Sequence, residues 1–173
     1  MPVVIIAAAD LGRTGYESRD QLNADTELKS RLEQIRLLAG AKMSLGDVTR
    51  KVVPKMCLVA PPRAGGCICT RTFIPHDCHA AVGVLGAVTV ATACMLPGSV
   101  ANAVAAVPPG NVKLISVEHP SGEFTVELEA DPQAPKTVRR AALLRTARLI
   151  MRGELYVPEQ VLGASSWRPP THS

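Results

Sequence analysis

Thr72-Phe73-Ile74-Pro75-His76-Asp77-Cys78-His79-Ala80-Ala81-Val82-Gly83-Val84-Leu85-Gly86-Ala87 is the stretch whose reading decides the fold. A run of β-formers meets a proline, which cannot continue a strand ladder, and the chain then stays apolar as far as Met95. The pattern predicts a strand over 67–74, a turn, and a helix over 80–95. That helix is apolar on every side, as a fully buried helix is. The turn collects His76, Cys78 and His79. A helix start offers unpaired N–H groups and a partial positive charge, so a carboxylate or a developing enolate can rest there. The same field would lower the pKa of a thiol at Cys78, and His76 or His79 would titrate near neutrality, so proton transfer is within reach. A blander reading makes Cys78 a small core hydrophobe and His79 a capping or core histidine. A third takes Cys67, Cys69, His76, Cys78 and His79 as zinc ligands, against which stands the lack of paired C-x-x-C or H-x-x-x-H spacing. Cys57 and Cys94 read as packing residues.

Working outward, Met56 to Ala60 and Cys67 to Ile74 read as two strands joined by Pro61-Pro62-Arg63-Ala64-Gly65-Gly66, a turn-rich link that could form a hairpin or a longer loop. Val112–Glu118 and Phe124–Glu129 flank the turn His119-Pro120-Ser121-Gly122. Phe124, Val126 and Leu128 alternate there with Thr125, Glu127 and Glu129, so one face of this hairpin is wet. Val3 to Ala9 is a buried strand ended by Asp10 and Gly12. A helix follows, with Leu28, Leu32, Ile35 and Leu38 or Ala39 on its inner face, Asn23 or Asp25 as its cap, and Gly40 and Gly46 at its decay. A last helix is expected from Pro135 to Gly153, with Leu143, Leu144, Ala147, Ile150 and Met151 on one side and Arg145, Arg148 and Arg152 on the other. The Pro-rich end, 161–173, reads as a disordered tail.

The chain has 173 residues, 47% of them apolar, enough for a core of its own, yet only 3% aromatic, so Val, Ala, Leu and Ile must fill it. A net charge of +4 without basic blocks, and without exposed aromatics between the basic residues, argues against a nucleic-acid partner. Five cysteines and no basic leader segment point to a reduced, cytoplasmic setting. Pro97, Gly98, Ser99 and Asn102 break the apolar run of 80–107, which argues against a membrane span.

In order along the chain, PVVIIAAADLGRTGYE, PKMCLVAPP, RTFIPHDCHAAVGVLGAVTVATACMLPGS, EHPSGEFTVE and RTARLIMRGELYVP resemble the C-terminal half of the PrpF-type isomerases, from about Pro2 to Pro158. That family includes isomerases and tautomerases of methylaconitate, methylitaconate and 4-oxalomesaconate. The resemblance implies an α+β, diaminopimelate-epimerase-like fold: two similar domains, each a mixed curled sheet around a central apolar helix, with the active site in the cleft between them. Residues 51–160 would be the C-terminal domain, and 1–50 would supply a strand, linker and amphipathic helix from the domain junction. The implied reaction is a 1,3-proton shift or cis/trans isomerisation in a small dicarboxylate or tricarboxylate, with no metal and no cofactor. It places an important histidine in this half, which leaves His76 and His79 both open, beside Cys78. Gly65, Gly66, Ala80, Ala81, Ser121 and Gly122 are the candidate substrate contacts. The lysine and cysteine that the family carries on its first domain have no counterparts here. The chain is therefore expected to be a truncated half that needs an N-terminal partner or self-association, or else a non-catalytic remnant or assembly module.

Overall fold

The structure, a computed structural model, describes residues 1–134, 137–143, 148–154 and 156–158. Six strands form one mixed sheet in chain order: β1 (Val3–Ala7), β2 (Lys55–Ala60), β3 (Ile68–Phe73), β4 (Val112–His119), β5 (Gly122–Ala130) and β6 (Val138–Leu143). β1 runs parallel to β2, and β3 parallel to β4; the other three neighbours are antiparallel. Parallel neighbours need a crossover, and each crossover is helical. α1 (Arg19–Ala24) and α2 (Thr26–Lys42) connect β1 to β2, while α3 (Val84–Met95) and α4 (Val100–Val104) connect β3 to β4.

The two crossovers lie on opposite faces of the sheet, and strand periodicity sorts the core accordingly. Cys57 and Val59 of β2, with Ile115, Val117, Val126 and Leu128, pack on Ala87, Val90, Ala91 and Cys94 of α3. Met56 and Leu58 point the other way, to Leu22, Leu28 and Leu32 of α1 and α2, together with Phe73 and Cys78. β1 divides likewise, Val3 and Ile5 against Val4 and Ile6. Strands covered on both sides explain the unbroken apolar runs of β1 and β2. α3 is buried along Gly86, Ala87, Val90, Ala91, Cys94 and Met95 only. Its other side is open, with Leu85 62% exposed, so the fully buried helix inferred from composition is a half-buried one that begins at Val84 rather than Ala80.

α2 carries its own surprise. Asp25 caps it through Leu28 N–H at 2.9 Å, but the buried row is Leu28, Leu32, Arg36 and Gly40, and Leu38 is 68% exposed. Arg36 is fully buried. It donates to the carbonyls of Val48, Lys51 and Val53 at 3.0 to 3.1 Å and grips Glu33 with two further bonds at 2.6 and 2.7 Å. The guanidinium thus closes the segment that leads into β2, a task for which its five fixed donors suit it.

The final helix is not formed. Residues 138–143 are a strand paired with β5, from Val126 opposite Leu143 to Ala130 opposite Val138, and 148–154 belong to no regular element. Ile150 and Met151 are 94% and 83% exposed instead of lining a helix face. The outer edge of β5 has a row of N–H and C=O groups to satisfy, and β6 supplies them while Arg140 pairs with Glu127 and Glu129 across the ladder. Pro135, Leu144, Arg145 and Ala147, and the tail 161–173, lie outside the described residues. No helix among the described residues is long and apolar enough to cross a membrane.

Candidate active site

At one end of the sheet the turn of the β4–β5 hairpin folds back on the segment that leads into α3. Ser121 donates through its N–H and its Oγ to the carbonyl of Ala80, at 3.1 and 2.7 Å, and its N–H and Oγ both lie 3.3 Å from His119 Nδ1. Two adjoining cavities open beside this clip. One, of about 580 Å³, is lined by Tyr16, Arg63, Ala64, Arg71, Glu118, His119 and Gly122, among others; the second, of about 610 Å³, by Tyr16, Ser18, Arg19, Arg71, Ala80, Pro120 and Ser121. Tyr16, Arg71 and Pro120 belong to both, so the two make one groove with Arg71 at its middle.

Local chemistry fixes each wall. The carboxylate of Glu17 accepts from the N–H groups of Thr14 and Gly15 and from the Thr14 hydroxyl at 2.6 to 2.9 Å, which folds the loop after β1 on itself. Gly15, at φ 83°, lets this loop press on β2: a Cβ there would lie 2.5 Å from that of Ala60. Ser18 and Gln21 then form a capping box, which starts α1 and places Arg19 in its first turn at the groove. Arg71 comes from the middle of β3 and is 8% exposed. Its Nε donates to the Glu17 carbonyl at 2.7 Å, and Nη1 to the Thr70 carbonyl at 2.8 Å and Cys69 Sγ at 3.3 Å. Nη2 has no hydrogen-bond partner among the described residues, and no described side-chain nitrogen is both buried and unsatisfied, so Nη2 reaches solvent. Burial, with Arg71 nearby, pulls the His119 imidazole below its usual pKa despite the carbonyls of Ala80 and Glu123 and the Glu123 charge, so at neutral pH the imidazole is neutral and the groove sets three arginines, Arg19, Arg63 and Arg71, beside three carboxylates, Asp20, Glu118 and Glu123.

The turn singled out from sequence distributes its side chains in different directions. Phe73 and Cys78 form an isolated bridge, and His79 N–H donates to the Thr72 carbonyl at 2.9 Å. His76 faces α2, with Nδ1 3.5 Å from Glu33, beside an Asp77–Lys29 ion pair at 2.9 Å. Cys78 is 1% exposed, under α1 and α2, and its N–H donates to Asn23 Oδ1 at 2.7 Å, so Asn23 anchors the turn where a helix cap was expected. Burial pushes the Cys78 thiol up to about 11, against the opposing pull of Arg71 and Arg19; the lowered, reactive thiol expected at a helix start is absent because α3 begins six residues later. Native protein at pH 7.5 should leave Cys78 unmodified by iodoacetamide over a period that fully alkylates the denatured chain, as peptide mass spectrometry will show. His79, Ala80 and Ala81 are exposed. Ala80, Ser121 and Gly122 line the groove; His76, Cys78, His79, Ala81, Gly65 and Gly66 do not, although Gly65 and Gly66 follow directly on Arg63 and Ala64, which do. Among the described residues no three His, Cys, Asp or Glu side chains are grouped to hold a metal.

Residues 1–158 match the model of the PrpF protein family. The chain belongs to the PrpF family. It is 59% identical over 157 residues to a (4E)-oxalomesaconate Delta-isomerase of Novosphingobium sp. (strain KA1), which covers 91% of this chain and 43% of that protein. It is 50% identical over 170 residues to a 4-oxalomesaconate tautomerase of Pseudomonas putida, covering 98% of this chain and 45% of that one. A crystal structure of methylitaconate-delta-isomerase superposes with a TM-score of 0.74 at 24% identity, over 98% of this chain and 48% of its own. The α+β, diaminopimelate-epimerase-like fold implied by the sequence is thus the fold observed, and this PrpF chain spans less than half the length of the curated relatives it matches. Sequence reasoning overlooked Arg71, Arg63, Arg19 and Tyr16. A signal for Arg71 was present: an arginine inside the β-rich run Cys67 to Ile74 must find buried acceptors, or it must face something acidic.

Proposed function

We propose that this chain is the carboxylate-binding half of a cofactor-independent isomerase, acting on a small unsaturated polycarboxylate of the methylaconitate, methylitaconate or oxalomesaconate kind. The observation that carries the proposal is Arg71, a nearly buried arginine with Nη2 left over, shared by both halves of a groove that Arg63 and Arg19 flank. Planar guanidinium groups match carboxylates in charge and geometry. Removing a proton from carbon next to a carboxylate or carbonyl spreads negative charge into a dienolate, and cations fixed in advance stabilise it without reorganising. Of the three side chains named from sequence, Cys78 is buried and His76 is engaged with Glu33. His79, exposed and next to the groove-lining Ala80, is our acid–base candidate in this half. Gly65, Gly66 and Ala81 are secondary candidates for substrate contact, and residues 51–160 form the substrate-binding domain to which 1–50 contribute loop and helix.

The complete reaction needs the partner half, so the isolated chain should bind substrate yet turn it over negligibly. Isothermal titration with tricarballylate, a saturated tricarboxylate that cannot isomerise, should give saturable binding. A turnover assay on oxalomesaconate, methylaconitate and methylitaconate should stay near background until the partner polypeptide is added. Absence of binding would sink the carboxylate reading, and robust turnover by the chain alone would sink the half-enzyme reading. The second reading, an assembly module, draws on Leu85 and on Leu149, Ile150 and Met151, all more than 60% exposed. A self-associated mass by light scattering with no tricarballylate binding would favour it.

A further inference from the structure

Glu118 lies at the end of β4, 4% exposed, on the floor of the groove. A buried carboxylate in a site for anions is costly unless its charge is fully engaged. Here the chain itself engages it. Its oxygens accept from the N–H of Arg63 at 2.9 and 3.2 Å, of Ala64 at 2.7 Å and of Gly66 at 2.8 Å. Burial would raise this carboxyl, but those three amides together hold it below the usual carboxylate range. Successive N–H groups converging in this way form an anion cradle, and the chain fills the cradle with its own side chain. Thr70 Oγ1 donates to the Glu118 carbonyl at 2.7 Å and so fixes the backbone as well. The fit excludes any residue but glycine at 66, where a Cβ would lie 2.6 Å from Glu118 Cγ.

What this cradle presents is Arg63. Its guanidinium sits 5.1 Å above the ring of Tyr16, whose hydroxyl donates to the Pro61 carbonyl at 3.1 Å. The arginine is thus held through its backbone by Glu118 and along its side chain by an aromatic face. Its guanidinium makes no ion pair among the described residues, so a ligand can use its charge.

We propose that Glu118 is a positioning residue: by locking the 63–66 loop it sets Arg63 as a second carboxylate clamp beside Arg71, so that the groove takes up a ligand with at least two carboxylates. This rests on the polycarboxylate reading above. A loop anchor of purely structural role would lower stability without coupling to Arg63, so the test is a double-mutant cycle of Glu118→Gln and Arg63→Ala on the full chain, read by titration with tricarballylate. Each single change should weaken binding about tenfold, the loss of one charge-assisted hydrogen bond. The double variant should bind no more weakly than Arg63→Ala, and the amide ¹H shifts of Arg63, Ala64 and Gly66 should move upfield in Glu118→Gln. Unchanged affinity in Glu118→Gln, or losses that multiply to about a hundredfold, would overturn the proposal while leaving the polycarboxylate reading intact. Wild-type chain that fails to bind tricarballylate would remove that reading and this proposal with it. Should Glu118→Gln not melt cooperatively, Glu118→Asp takes its place in the cycle, because it keeps the charge but withdraws it by one methylene from the three amides.

Discussion

Arg36→Met should cost the chain about 2 to 4 kcal/mol, because it removes a buried donor that several carbonyls share. Met replaces the volume, but the carbonyls of Lys51 and Val53 lose the guanidinium, and that of Val48 is left with the Lys51 N–H alone at 2.9 Å. An acceptor wholly cut off from water would cost about 1 to 3 kcal/mol, and the Lys51 and Val53 carbonyls, whose bonds to Arg36 are only partly buried, cost toward the lower end. Glu33 is less affected, since its side chain is 26% exposed and water can replace the guanidinium. In a chain of this size the loss corresponds to a melting temperature lower by about 4 to 16 °C. Arg36→Lys should recover little, because one ammonium cannot serve three carbonyls and a carboxylate. Arg31→Met, on the exposed side of the same helix, should change stability by less than about 0.5 kcal/mol and serves as the control. The pH dependence has a definite sign. The hydrogen bond from Arg36 holds the Glu33 carboxyl below its ordinary value, so its contribution is complete at neutral pH and disappears as pH falls from the ordinary carboxylate range through that lowered value. Arg36→Met should therefore flatten this part of the acid melting curve. Equal melting temperatures for wild type and Arg36→Met would refute the account.

Arg36 also shows why α2 was only partly legible. Spacing located the helix and left Asn23 or Asp25 as its cap, of which Asp25 is the one that caps it, but the choice of inner face assumed that large apolar residues turn inward. The tertiary structure instead buries the row Leu28, Leu32, Arg36 and Gly40, because a carbonyl-rich loop needs a donor there. β2 and β3 and the hairpin were legible to within a residue or two, since each is an apolar or alternating run closed by Pro, Gly or Ser, and pattern and turn chemistry agree. The segment 138–153 was not, because Leu143, Ile150 and Met151 sit at helical spacing, while the unsatisfied edge of β5, a long-range fact, calls for a strand. Of the residues named from sequence, Ala80, taken from the expected helix start, and Ser121 and Gly122, taken from the hairpin turn, line the groove. Arg71, Glu118 and Tyr16 come from segments that read as ordinary strand and loop; the register of β3 with β4, Cys69 opposite Glu118, joins the first two, and the bond from Arg71 to the Glu17 carbonyl holds the Tyr16 loop beside them.

Arg71→Met should abolish most of the affinity of the chain for tricarballylate, by about 30-fold or more. The figure follows from about 2 kcal/mol, the lower end for truncating one member of a desolvated charge pair. Arg71→Lys should lose about tenfold, since an ammonium keeps the charge but gives up the fork that bonds Glu17 and Thr70 while leaving Nη2 for the ligand. Arg19 stands at the rim of the second cavity, so Arg19→Gln should weaken binding less, and the difference should shrink as salt rises to about 0.5 M, where exposed charges are screened. The Arg71 effect should persist at that salt concentration, because Arg71 is only 8% exposed as a residue and most of its side chain is shielded from counter-ions. Circular dichroism on Arg71→Lys separates lost contact from lost fold. If both Arg71 variants retain wild-type affinity while folded, the ligand does not meet the middle of this groove, and the carboxylates must be held elsewhere on the chain.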